Sequence, residues 1–344
     1  MPNQENFSPS RRDFLKNVAA AGAVVSLPVQ GSSGAPADKP RVQTCYFSKH
    51  LQWLGWEQMA ETAAELGFDG IDLTVRDGGH VLPERVKEDL PKVAAIVRKT
   101  GLDIPMITAG IEDIHSPHAE DILRTASGMG IHRYRWGWFS WSDTRQLPDL
   151  SRLQANPGTP PRLLIDVPGR LAELKPRVAE LAEMNKKLNV CAMYHNHSGP
   201  LVGAPVWDLW VLLKDYDARW VGSNFDIAHA TVEGGFGGWA DSTRLMAPFI
   251  RGTAIKDFKW GKNAKGQWEP MWCPLGEGMV NFRAFLAMLK ESGFSGPVQL
   301  HSEYPLGGAE NGNKTLTLPK ATVLAAIRKD LATLKGWMKE AQLV

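Results

Sequence analysis

The sequence predicts an α/β protein, a single (β/α)8 TIM barrel, and three observations carry that expectation. Short apolar runs alternate with amphipathic stretches eight times along the chain. Connections into the apolar runs are short, as at Gly67-Phe68-Asp69 and Gly293-Phe294-Ser295, whereas those leaving the runs are long. No Gly-rich phosphate turn follows the first run, which disfavours a doubly wound open sheet.

Taken in order, the strands are expected near 41–47, 70–75, 103–108, 132–138, 189–195, 220–226, 250–256 and 297–302. Helices are expected at 56–67, 83–100, 118–129, 168–187, 206–214, 240–247, 281–292 and 319–340. The second shows the pattern well, with Val86, Leu90, Val93, Ile96 and Val97 at three-to-four spacing. Long loops follow strands four to seven, at 138–165, 196–206, 227–239 and 257–280. In such barrels functional residues gather where those loops emerge, at the C-terminal ends of the strands.

The barrel is expected to occupy 38–344, because the first residues read as an export signal. Ser10-Arg11-Arg12-Asp13-Phe14-Leu15-Lys16 resembles the core of a twin-arginine signal peptide. A modest apolar stretch and Ala35-Pro36-Ala37 follow, placing the expected cut after Ala37. The stretch is too short and Gly/Ala-rich for a permanent anchor, since a span needs roughly 20 strongly apolar residues. These features imply delivery to the periplasm by the twin-arginine export machinery.

Lys and Arg number 39 against 37 Asp and Glu, a formal net charge of +2 that argues against a nucleic-acid surface. The balance favours a neutral substrate over a polyanion. Cys45, Cys191 and Cys273 have no metal or redox spacing and read as small buried residues. Tryptophan is abundant, with 13 residues against five Tyr. Many fall on the mouth side, including Trp138 after strand four and Trp260, Trp268 and Trp272 in the seventh loop. Rings placed there suit stacking on sugar faces.

The titratable residues converge on the same mouth. Asp226 ends strand six, Glu303 ends strand eight, and Tyr194-His195-Asn196-His197 ends strand five. Side chains alternate along a strand, so His195 and His197 share a face, as do His301 and Glu303. His195 or His197, with Asp226 and Glu303, form a candidate set for Mn²⁺, Mg²⁺, Co²⁺ or Zn²⁺. Lys49, His80, Lys256 and Glu303 are the candidates for moving protons, a buried Lys being able to lose basicity. His80 lies between glycines in a loop that can close over a ligand. His50, Arg76, Arg135, Trp138, His229, Trp260 and His301 are expected to touch substrate. Arg76, Arg133 and Arg135 offer planar forks for a carboxylate or phosphate, or for structural ion pairs, and Asp72 can orient one of them.

Several segments together resemble the xylose-isomerase-like superfamily, in its sugar-phosphate isomerase/epimerase branch. They are Phe47-Ser48-Lys49-His50-Leu51, the run Gly70 to Arg76, Gly78-Gly79-His80-Val81, Asp226-x-x-His229, Lys256-Asp257 and Glu303. The resemblance implies a divalent ion held by Glu, Asp, His and Glu from strands five to eight. Asp226 and Glu303 match that pattern. Two positions depart from it: His195, with His197 as the alternative, replaces the first Glu, and Ala254 stands where the His would be.

The expected function is metal-assisted proton transfer beside a carbonyl of a sugar, keto-sugar or polyol, as isomerisation or epimerisation. β-Elimination on a keto-glycoside or inosose is the neighbouring chemistry. A non-catalytic sugar-binding barrel with a decayed ion site is the alternative of another class. An apurinic endonuclease fits poorly with the export signal and neutral charge.

Overall fold

Parallel strands too short to bury themselves close into a ring and take helices on the outside. The computed structural model describes residues 42–141 and 166–344. In chain order the strands are β1 Thr44–Phe47, β2 Gly70–Val75, β3 Asp103–Ala109, β4 Arg133–Trp136, β5 Cys191–His195, β6 Val221–Asp226, β7 Ile250–Ile255, β8 Asp257–Lys262, β9 Trp268–Cys273 and β10 Val298–Leu300. All except β8 and β9 form one closed barrel, shut by the pairing of β1 with β10. The helices are α1 Trp56–Leu66, α2 Val86–Lys99, α3 Ala119–Gly128, α4 Val167–Leu188, α5 Trp207–Leu213, α6 Ile227–Met246, α7 Phe282–Glu291 and α8 Lys320–Glu340. The expected barrel is the one found. The export segment at 1–37 and most of the loop at 138–165 lie outside the described residues.

Three stretches differ from the sequence reading, each for a local reason. No loop follows β6: the Asp226 carboxylate accepts the His229 backbone N–H at 3.0 Å and starts α6 at once. The helix kinks at Gly235, whose φ of 57° and ψ of −140° only glycine adopts readily. The expected helix at 240–247 is therefore the second half of a longer one, masked by its glycines. In the seventh loop, β8 and β9 pair as an antiparallel hairpin. Its turn is tied by Asn263 Oδ1, which accepts from the Lys265 and Gln267 N–H groups. The last barrel strand ends at Leu300, so His301, Ser302 and Glu303 continue beyond the ladder.

Leu, Ile and Val of the strands' outward faces pack on the helices, while the barrel interior is layered. Met106, Cys191 and Met193 make a separate apolar plug inside it. Above the plug, Asn224 and Gln299 exchange amide hydrogen bonds of 2.7 and 3.2 Å. That polar layer is the floor of the mouth.

Candidate active site at the barrel mouth

Each strand end delivers one inward residue. Lys256, just past β7, is almost fully buried, and its ammonium is held three ways. It donates to Glu303 Oε2 at 2.7 Å and to His229 Nε2 at 2.6 Å, and lies 3.4 Å from Asp226 Oδ2. The indole of Trp272, from β9, lies over it at 4.5 Å. Lys49, on the 3₁₀ turn Ser48–Leu51 after β1, approaches Glu303 Oε1 at 3.9 Å. Glu303 thus faces two ammonium groups.

The two carboxyl groups respond in opposite directions. Burial pushes both up. At Glu303 the charges of Lys256 and Lys49 outweigh that and hold it well below the usual carboxylate range. Asp226 is fully enclosed and farther from Lys256, and burial pushes it up to about 6. Burial, followed by nearby cations, lowers His195, His229 and His301 well below ordinary imidazoles. They are neutral, with lone pairs to offer.

His195, Asp226 and His229 bring three ligand atoms within 4.8 Å of one another. Both imidazole Nε2 atoms face Asp226 Oδ2, at 3.6 and 3.9 Å. That oxygen is buried without a hydrogen-bond partner. Nitrogen–nitrogen–oxygen donors around an unspent carboxylate oxygen fit a divalent ion, and suit Mn²⁺, Co²⁺ or Zn²⁺ better than oxygen-seeking Mg²⁺. Lys256 already takes the His229 Nε2 lone pair and pairs with Asp226 Oδ2 at 3.4 Å, so ammonium and ion compete for both atoms.

Several assignments from sequence change here. Glu303 pairs with Lys256 and stays outside the ligand trio. His197 is outside it as well: its Nδ1 meets the Ser198 carbonyl at 2.8 Å and its ring packs on His229 at 3.9 Å. His229, assigned above to substrate, belongs to the trio. Ala254 is buried beside Asp226 in the register and offers no ligand. His50 is a structural imidazole: Nε2 accepts the Ser302 N–H at 3.2 Å, leaving Nδ1–H for the Ala309 carbonyl at 3.2 Å.

His80 is not in a free loop. The turn folds back so that Val81 N–H reaches Thr74 O at 3.1 Å, and His80 Nδ1 sits 3.3 Å from Thr74 Oγ1. Burial lowers it to about 4, and its contacts lie with β2, the turn after β1 and Trp56. Trp260 is exposed on the hairpin, while Trp272 on the same face covers the cluster. Trp138 does wall the site, its Nε1–H donating to His195 O at 2.8 Å. His301 stacks on Phe47 at 4.7 Å and turns Nδ1 toward Glu303 Oε1 at 3.9 Å. Arg76 and Arg135 both lie over Phe47, whereas Arg133 lines a small cavity with Arg251 beside the starts of β4 and β7.

Sequence reasoning missed the pairing of Lys256 with His229 and the Asn224–Gln299 floor. The first had a signal. Asp226-x-x-His229 has one-turn helical spacing, legible once α6 is started at Ile227.

A closed barrel whose C-terminal mouth gathers carboxylates, imidazoles and lysines is an enzyme-type scaffold. The chain belongs to the xylose isomerase-like TIM barrel family, whose model matches residues 60–322. Similar solved structures include a xylose isomerase-like TIM barrel protein from Mycobacterium smegmatis in complex with magnesium. It is 17% identical with a TM-score of 0.60, over 87% of this chain and 97% of that one. A D-tagatose 3-epimerase-like protein is 16% identical with a TM-score of 0.58, over 88% and 98%. The 3-keto-D-glucoside 4-epimerase of E. coli is 15% identical with a TM-score of 0.56, over 87% and 100%. At these identities the likeness establishes the fold. No curated protein matches the chain.

Proposed function

We propose that this chain is a carbohydrate isomerase or epimerase that moves a proton beside the carbonyl of a sugar, keto-sugar or polyol. The observation carrying this reading is the Glu303–Lys256 pair set against the His195, Asp226 and His229 trio. Glu303, ionised at any ordinary pH, takes the proton from the carbon next to the carbonyl. The electron pair moves to the carbonyl oxygen, and the resulting enediolate is held by the ammonium groups of Lys256 and Lys49. Return of the proton from Glu303 to the neighbouring carbon gives the isomer; the epimer requires a proton from a second acid on the opposite face, while Glu303 keeps the one it took. His195, Asp226 and His229 are the residues to hold Mn²⁺, Co²⁺, Zn²⁺ or Mg²⁺, which when bound polarises the carbonyl and adjacent hydroxyl. Trp272 and Trp138 keep water from the array.

Solvent-deuterium incorporation tests the reading. The full chain, loaded with each ion in turn, is mixed with sugars and keto-sugars in D₂O. Deuterium is expected beside the carbonyl, lost by about a hundredfold or more in Glu303→Gln. No exchange into any bound sugar would sink the enzyme reading and leave a binding protein. Elemental analysis after dialysis is expected to find one ion per chain, reduced in His195→Ala. The complete Arg11-Arg12 motif supports export to the periplasm as part of the same proposal. Cell fractionation of the Arg11→Lys, Arg12→Lys chain is expected to retain it in the cytoplasm.

A further inference from the structure

Two guanidinium groups in the mouth find no acceptor among the described residues. Arg135, on β4, is 7% exposed and lies over the rings of Phe47, at 4.9 Å, and Trp138, at 5.5 Å. Arg76, just past β2, lies 5.5 Å from the same Phe47 ring. Among the described residues neither makes a hydrogen bond, nor an ion pair within 4.0 Å. Elsewhere in the chain arginines do find carboxylates, as Arg177 with Asp113 and Arg219 with Asp217. The nearest candidate here, Asp72, accepts instead from Thr108 Oγ1, at 2.9 Å on each oxygen. Ring stacking satisfies the flat faces of a guanidinium and leaves its N–H edges free to meet an acceptor on a ligand.

The charge balance points the same way. Lys49, Arg76, Arg135 and Lys256 outnumber Asp72, Asp226 and Glu303 by one, even with every acid ionised. Burial of Asp72 moves the balance further toward positive. Arg135 also adjoins the chemistry: the Trp138 ring it lies over is 6.2 Å from the His195 ring, centroid to centroid.

We propose that Arg76 and Arg135 form an oxyanion subsite, so that the sugar handled at this mouth carries a carboxylate or a phosphate. This rests on the isomerase reading for the chemistry, though not for the binding. It reverses the expectation of a neutral substrate, because overall charge does not report the charge of one buried pocket.

Titration calorimetry of the full chain uses matched probes: D-glucuronate, D-galacturonate and D-glucose 6-phosphate against D-glucose and D-galactose. At least one anionic sugar is expected to bind about tenfold or more tightly than its neutral parent. Arg135→Gln and Arg76→Gln should each erase that preference, the anionic sugar binding no more tightly than its neutral parent in the same variant. Arg135→Lys, which keeps the charge, should restore part of it. The stronger of uronate and phosphate identifies the oxyanion. Equal binding of neutral and anionic sugars, no binding of any anionic sugar, or a preference surviving in the double Gln variant overturns the proposal. Deuterium exchange separates the two readings. Anionic binding without exchange keeps the subsite and removes the isomerase; exchange into neutral sugars without anionic preference does the reverse.

Discussion

Lys256 is the residue on which the mouth turns, because one ammonium serves Glu303, Asp226 and His229 together. Lys256→Met should free the His229 lone pair and tighten ion retention about tenfold, read by chelator competition. The same change should cut deuterium exchange by about a hundredfold or more, since the enediolate loses its nearest cation. His50 acts one step back, pinning both Ser302 and Ala309 around the segment that carries Glu303. His50→Leu strands a buried N–H and a buried carbonyl, so urea titration should show a loss of about 1–3 kcal/mol. Asp226, Glu303 and His195 were legible in the sequence because strand ends announce themselves by pattern. The neutral tautomer of His50 and the enclosed turn at His80 were not, because both depend on partners far along the chain or on a turn folding back.

At the scale of elements, β-strands were read within a few residues because their apolar runs are short and bounded. Helix α6 was misread because Gly234, Gly235, Gly237 and Gly238 carry the weakest helix propensity short of proline. Gly235 is the position where the backbone uses that freedom, with φ at 57°. Gly235→Ala should cost about 1–3 kcal/mol by urea titration, through backbone strain rather than lost contacts. The β8–β9 hairpin is hidden for a different reason: Trp260, Trp268 and Trp272 read as loop aromatics, although pairing places Phe258 opposite Trp272. That pairing is what lowers Trp272 onto Lys256 and His229.

Across the whole molecule, α8 ties two mouth loops to the barrel wall. Its Asp330 accepts from Tyr304 Oη at 2.7 Å and from the Leu275 N–H at 3.1 Å. Burial pushes this acid up to about 6, against the Tyr304 hydrogen bond. The folded chain therefore keeps a proton that the unfolded chain releases near 4. Stability from this group is full below about pH 4 and is lost as pH rises through about 6, by up to about 3 kcal/mol. Subtracting the urea-unfolding profile of Asp330→Asn from that of the parent should isolate this falling slope.

The plug of Met106, Cys191 and Met193 under the Asn224–Gln299 floor has a consequence for traffic. Among the described residues this plug and floor fill the barrel interior beneath Lys256. Whatever arrives beside Lys256 leaves past Trp272 and Trp138, through the doorway it used on the way in. On the proposed reading, incoming and outgoing sugar therefore share the mouth.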